Sequence, residues 1–298
     1  MLDFRPVTIN DREVIQPFFS RSTFRNCDFS FSNIFSWRNY YKTTFAVEEE
    51  CLYIRFQAKD ELPGYLFPLG EGSLPKRMER LRQDAQKRGD AFQLHAITQK
   101  MFDLIEENLP GQFVYEKNRS FYEYMYSSED LISLVGKRYQ AKRNHINKFK
   151  RTYQWEYLPI KREIIPDCLI LYDRWCRENG GCNTEESLIQ ERIATQEVFA
   201  NYEALGLIGG ALRIDGEILA YSYGQPLTED TFGIHAEKCL YEIDGGFTLI
   251  NQQFAEHNCA GYRYINREED LGLESLRQAK LSYSPEFLLE KGSVCEVV

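Results

Sequence analysis

The sequence predicts an α/β protein of two similar halves, each a mixed sheet flanked by helices. Three observations point there. At 298 residues the chain is about twice the common domain size. Strand and helix patterns alternate through it twice. The second half places a hairpin signal, a strand, a glycine-opened helix and a further strand in succession, an order that implies one parallel strand pair. With 43% hydrophobic and 27% charged residues, the chain can bury a full core and is not disordered.

In the first half, apolar Val14, Ile15, Phe18 and Phe19 share one face of a helix over 11–20, and a second helical signal covers 30–37. Strands follow at 43–47 and 51–57, turned by Glu48, Glu49 and Glu50, then at 65–69. A helix over 76–87 stops at Gly89, and after it come a strand at 92–97, a helix at 99–107 and strands between 113 and 126.

The second half is clearer. A strand at 155–160 precedes a helix that Asp167 caps and Gly180-Gly181 ends, with an apolar face of Cys168, Leu171, Tyr172, Trp175 and Cys176. A longer helix over 185–204 carries Leu188, Ile189, Ile193, Phe199 and Tyr202 at helical spacing. Strands at 207–214 and 217–223 flank Asp215-Gly216, a pair suited to the positive φ angles of a type I′ turn. A strand at 231–238 leads to a helix opened by Gly245-Gly246, with Phe247, Ile250 and Phe254 on one face. A strand at 262–266 and a helix at 273–281 complete the pattern, with Pro285 beyond. Ligands of such sheets enter at the carboxyl ends of the strands. The implied domains are 1–130, a basic connecting helix at 131–151, and 152–298.

The net charge of -9 conceals an asymmetry. Residues 1–136 carry 17 basic and 20 acidic side chains and residues 152–298 carry 12 and 25, whereas 137–151 carry seven basic side chains and no acid. The eight cysteines are scattered without a C-x-x-C pair and the four histidines lack ligand spacing, so reduced thiols and no metal are expected. No apolar run approaches the roughly 20 residues that cross a bilayer, and the amino terminus has no signal core. A cytoplasmic protein is expected.

Three segments could carry chemistry. In the basic segment, Tyr139, Ile146 and Phe149 share one side of a helix while Lys137, Arg138, Lys142, Arg143, Lys148, Lys150 and Arg151 cover most of the rest. Such a surface attracts the phosphates of RNA or of an anionic membrane; a solvated connecting helix is the alternative. Gly245 and Gly246, at a helix start, bring backbone N–H groups close to a ligand carbonyl or phosphate, or else serve a tight turn. The block 266–283 places Arg267, Glu268, Glu269 and Asp270 at a strand's carboxyl end, with Lys280 and Tyr283 following. A carboxylate there can orient an amine or hydroxyl or take its proton, and Tyr283 or Lys280 can protonate a leaving group. An acidic helix N-terminus is the competing explanation. His145 and His235 read as structural or phosphate-facing residues, and Cys176 and Cys182 lack a nearby activating histidine.

These residues resemble a family. The hairpin Leu212–Ala220, the strand and Gly-Gly helix, and Ala279 four residues before Tyr283 resemble the core of the GNAT (acyl-CoA N-acyltransferase) fold. More narrowly, Gly136-Lys137-Arg138-Tyr139 with Lys142-Arg143-Asn144-His145, and Asn266-Arg267-Glu268-Glu269-Asp270-Leu271-Gly272 with Leu276 to Tyr283, resemble the C-terminal domain of phosphatidylglycerol lysyltransferases. That domain is two GNAT-like units in tandem, related to the Fem-like aminoacyltransferases. The resemblance implies transfer of an aminoacyl group from aminoacyl-tRNA to a lipid hydroxyl or a peptide amine. The family's membrane-spanning N-terminal portion is not in this sequence, so a lipid would be met from the cytoplasmic side, with the protein peripheral at the inner membrane face.

The expected function is therefore an acyltransferase with aminoacyl-tRNA as donor substrate, no bound cofactor, and a small amine, peptide or lipid as acceptor. N–H groups near Gly245 and Gly246 would meet the oxyanion, Glu268 or Asp270 would prepare the acceptor, and Arg267 and Glu269 would help bind substrate. Two alternatives remain: an acetyl-CoA-dependent N-acetyltransferase of a small amine, and a non-catalytic binding protein on the same fold. Against acetyl-CoA, aligning Gly245 with the pyrophosphate loop sets Glu242 and Asp244 beside the phosphates, where they would repel them.

Overall fold

Local chemistry sets several element ends in the computed structural model, which describes residues 1–57, 62–179 and 186–297. Ser30 caps its helix by accepting the Asn33 N–H, Gly89 closes another in the left-handed region (φ 76°), and Asp215 and Gly216 both take positive φ (51° and 94°) in the hairpin turn.

The chain forms two units, and each draws on both halves of the sequence. The first comprises 1–123, 269–274 and 288–298; the second comprises 124–268 and 275–287. A linear division at 130 and 151 was expected. Instead the basic helix lies within the second unit, and the end of the chain belongs to the first.

In the first unit, strands β1 (Arg5–Pro6), β2 (Thr44–Glu48), β3 (Cys51–Phe56), β4 (Gly64–Tyr65), β5 (Leu69–Gly70), β6 (Gln93–Thr98) and β7 (Phe113–Lys117) share a sheet with Lys291–Glu296. Its order is β1-β2-β3-β4-β6, then Lys291–Glu296, then β7, with β5 pairing β3. Helices α1 (Arg12–Arg21), α2 (Phe31–Ser36), α3 (Leu74–Arg88) and α4 (Gln99–Asn108) belong to this unit. Pairing is antiparallel except between β4 and β6, which α3 connects. The single strand expected at 65–69 is instead two short bridges, because Pro68 offers no N–H to a ladder.

The second sheet runs β14 (Phe287–Leu289), β8 (Glu123–Ser127), β13 (Tyr264–Asn266), β12 (Thr231–Cys239), β11 (Glu217–Thr228), β10 (Ile208–Ile214), β9 (Trp155–Pro159); Lys291–Glu296 is thus β15. Helices α5 (Ser128–Ser133), α6 (Gln140–Thr152), α7 (Ile165–Glu178), α8 (Glu186–Ala200) and α9 (Gly246–Asn258) belong to the second unit, and α10 (Glu274–Leu281) follows β13. A parallel pair in it, β12 with β13, spans α9 as expected. Both sheets are therefore mixed, and each builds a parallel pair around a crossover helix.

Two helical details differ from expectation. Asp167 lies in the first turn of α7 rather than capping it, because Pro166 already fits the first turn. On α8 the buried face is Ala194, Thr195, Val198 and Phe199, and Ile193 is exposed. The ring of Phe199 sets that rotation by packing edge-on against Tyr221 and Tyr223. The expected helix end at Gly180-Gly181 and Cys182 lie outside the described residues. Six described cysteines are free thiols, but Cys176 is disulfide-bonded, a departure from the expectation of reduced thiols throughout.

Candidate functional site

In the second unit the basic helix α6 packs on the start of α9. Tyr139, Ile146 and Phe149 are buried as their spacing predicts, each apolar side chain contributing about 1.5–3 kcal/mol. Gly245 holds φ 82° ahead of α9, and a Cβ there would come 2.9 Å from the His145 carbonyl oxygen and 3.3 Å from Phe149 Cβ. The glycine is thus needed for the close approach of the two helices. A Cβ on Gly246 would collide with the Cys239 sulfur.

This approach leaves a cavity of about 240 Å³ lined by Lys142, His145, Tyr241, Ile243, Asp244, Gly245, Phe247 and Thr248. Its size suits one end of a ligand rather than a whole cofactor, since small-molecule sites span roughly 300–1,000 Å³. The Gly246 N–H already donates to the Ile243 carbonyl (3.0 Å), and Leu249 donates to Gly245 (3.0 Å). Among the described residues, the helix-start N–H groups without a backbone acceptor are therefore those of Gly245, Phe247 and Thr248.

Lys142 donates to Ser282 Oγ (2.7 Å) and lies 3.7 Å from the centroid of the Tyr283 ring. Burial, then the neighbouring Arg267 cation, pushes its ammonium down to about 8, against the pull of Glu237. Tyr283 is buried, and burial pushes its phenol up to about 12, with the Thr248 hydroxyl of the cavity wall opposing the rise. Arg267 lies 4.8 Å from the same ring and pairs with Glu237 (3.0 Å), which also accepts from Asn251 Nδ2 (2.9 Å). Lys280 is buried and donates to the Arg267 carbonyl.

Asp244 accepts from Lys148 (2.5 Å), with His145 at 3.5 Å, and the Lys148 hydrogen bond holds its carboxyl below the usual range. Glu242 pairs with Arg174 (3.1 Å). Each carboxylate expected to repel a pyrophosphate thus has a cation beside it, which weakens that objection.

The acidic trio does not gather at the cavity. Glu268, at φ 56°, accepts at Oε1 from His235 Nδ1 (2.8 Å) in the second unit. Glu269 and Asp270 belong to the first unit. Asp270 is wholly buried against Arg119 (3.0 Å) and accepts the Gly272 N–H (2.9 Å), while Glu269 faces Lys291 at 3.8 Å. Asp270, expected at the acceptor, is thus held in a buried ion pair away from the cavity lining, and Arg267, expected to bind substrate, is paired with Glu237. Of the other expected phosphate contacts, Arg143 donates to the Leu134 and Gly136 carbonyls, Arg138 pairs with Asp130 (2.5 Å) and Arg151 donates to the Asn147 carbonyl. Lys137 is exposed, and Lys150 lies 5.4 Å from the Trp155 ring centroid. Sequence reasoning missed Glu237, Tyr241 and Thr248, which sit in ordinary strand, turn and helix patterns.

The two mixed sheets and their crossover helices make this a mixed α/β protein of two units, with the fold that FemX also has. The chain belongs to the family described as phosphatidylglycerol lysyltransferase, C-terminal, whose model matches residues 19–292. It is 43% identical to a conserved protein of unknown function from Bacteroides thetaiotaomicron, with a TM-score of 0.94 over 100% of both chains. It is similar in fold to L-PGS from Bacillus licheniformis (TM-score 0.57, 18% identity, 85% of this chain and 83% of that one). It is likewise similar to FemX (TM-score 0.60, 8% identity, 100% of this chain and 98% of that one). An uncharacterised protein of Mycoplasmoides gallisepticum is 23% identical over 207 residues, 67% of this chain, and the match spans 64% of that relative's length. Among the described residues no helix is long and apolar enough to cross a membrane.

Proposed function

We propose that this chain transfers an aminoacyl group from aminoacyl-tRNA to a lipid hydroxyl or to a peptide or small-molecule amine. One observation carries the reading: Lys142 of the basic helix and the start of α9 face the same cavity, with the Lys142 ammonium 3.7 Å from the centroid of the Tyr283 ring. The donor's ester carbonyl would sit against the N–H groups of Phe247 and Thr248, which stabilise the oxyanion as the acceptor adds. Lys142 would hold a donor phosphate or the developing negative charge. Tyr283, protonated throughout the neutral range, would donate to the departing ribose oxygen, and the ester C–O bond breaks as the new bond to the acceptor forms. Glu268, bonded to His235 in the second unit, would orient the acceptor and take the proton it loses as the new bond forms. RNA, and an anionic membrane surface for a lipid acceptor, are the partners this chemistry needs. The protein would then work in the cytoplasm, peripheral at the inner membrane face.

The test is incubation of purified protein with mixed charged tRNAs and lipid or peptide acceptors, read by mass spectrometry. A new aminoacyl adduct is expected; its absence with every donor and acceptor pair refutes the proposal. The pairing of Asp244 with Lys148 and of Glu242 with Arg174 favours a second reading, acetyl-CoA-dependent acetylation of a small amine. Low-micromolar acetyl-CoA binding by calorimetry would select it.

A further inference from the structure

Two cations share one aromatic ring beneath the cavity. The Lys142 ammonium lies 3.7 Å and the Arg267 guanidinium carbon 4.8 Å from the Tyr283 centroid, so the two lie within about 8.5 Å of each other. Arg267 is also 5.5 Å from the Tyr126 ring centroid, and its side chain is only 12% exposed. Its ion-pair partner Glu237, 10% exposed, is fixed in turn by Asn251. Neither Arg267 nor Glu237 lines the cavity, whereas Lys142 does.

We propose that Glu237 and Arg267 are a positioning pair for this pocket, whose combined charge, carried past the Tyr283 ring, sets the charge state of the Lys142 ammonium that meets the ligand. The charged and polar groups around Lys142 are Glu237 from β12, Arg267 just after β13, Tyr283 and Ser282 after α10, and, in the cavity wall, His145 and the Asp244–Lys148 pair. The Tyr283 ring favours the charged ammonium, and Arg267 opposes it. The signs of the two deletions therefore differ. Removing Glu237's charge leaves Arg267 uncompensated and makes Lys142 easier to deprotonate. Removing Arg267's charge leaves Glu237 to hold the proton on.

The inference rests on the donor-site reading only for its consequence, because amine titration requires no substrate. The full chain is labelled with trace N-hydroxysuccinimidyl acetate from pH 6 to 11, and the acetylated peptides are quantified by mass spectrometry. The Lys142 reactivity midpoint is expected to rise by about one unit in Arg267→Met, the scale Coulomb's law gives for a separation of about 8.5 Å at an effective dielectric near 20–40, and to fall in Glu237→Gln. Arg267→Lys, which keeps the charge and changes the shape, should retain the wild-type midpoint. It also serves as the charge control if Arg267→Met fails to fold. A Lys142 midpoint that matches exposed Lys137 and stays put in the variants overturns the pair's role, even if the protein transfers aminoacyl groups. Opposite shifts in a protein that transfers nothing would uphold the pair and sink only the donor reading.

Discussion

Replacing Lys291 with methionine should loosen the first unit at a single point. Lys291 is 3% exposed, and its ammonium lies 2.7 Å from both Asp28 and Glu123, with Glu269 at 3.8 Å. Glu123 is wholly buried and also accepts the Cys27 N–H at 3.2 Å. Burial lowers the lysine's proton affinity, but Asp28, Glu123 and Glu269 outweigh it and raise it well above the ordinary value. Methionine keeps much of the stem's packing and leaves wholly buried Glu123 facing the half-buried Asp28 and Glu269 without a cation. Breaking one partner out of a buried ion pair costs about 3–5 kcal/mol, a large share of a typical stability of about 5–15 kcal/mol. The midpoint of thermal unfolding should fall by roughly 6 to 20 °C, measured by calorimetry. The sign with pH follows from the raised lysine: its contribution is fully present below about pH 10.4, the unfolded value, and is lost only as pH rises through the folded one. Burial also raises the Glu123 carboxyl, and loss of the lysine's charge raises it further, so the gap between wild type and variant should widen as pH rises from neutral to about pH 9. Glu123→Gln added to Lys291→Met should recover part of the loss, since one buried charge goes with it. A midpoint within about 2 °C of wild type for Lys291→Met would show that the cluster does not hold β15 in its sheet.

Three further outcomes follow from the second unit. Gly245→Ala should cost about 1–3 kcal/mol in chemical denaturation, because alanine must take φ 82° with its Cβ 2.9 Å from the His145 carbonyl oxygen; an unchanged midpoint would mean the helices can part freely. Tyr283→Phe should keep the fold and lower any transfer rate by about 100-fold, the scale of one general acid; full activity would remove the tyrosine from the chemistry. Binding of tRNA, followed by filter retention, should weaken as pH rises through about 8, where Lys142 loses its proton. The same weakening should be missing in Lys142→Met, and a pH-independent wild type would separate this lysine from the phosphates.

How far the site was legible depends on distance along the chain. The spacing of Tyr139, Ile146 and Phe149 placed the inner edge of the basic helix, and Gly245-Gly246 marked the start of α9. Both are local patterns, readable because helical geometry repeats every few residues. That these two helices face one cavity was not readable, since nothing in a local pattern says which surfaces meet. The carboxylates at 268–270 looked like one cluster because they are adjacent in sequence. Successive extended or turning residues point in different directions, and so Glu268 meets His235 while Asp270 meets Arg119.

By itself, then, the sequence determined the class of fold, the crossover that makes β12 and β13 parallel, the hairpin at Asp215-Gly216 and the family resemblance. All of these rest on short-range periodicity, turn chemistry and motif. Only the tertiary structure decided that β15 completes the first sheet, that Lys291 meets Glu123 across 168 residues of chain, and that Lys142, Tyr283 and Arg267 converge. Those contacts join residues whose encounter follows from which strands and helices pack together, a choice made by the burial of whole surfaces rather than by any neighbour in the chain.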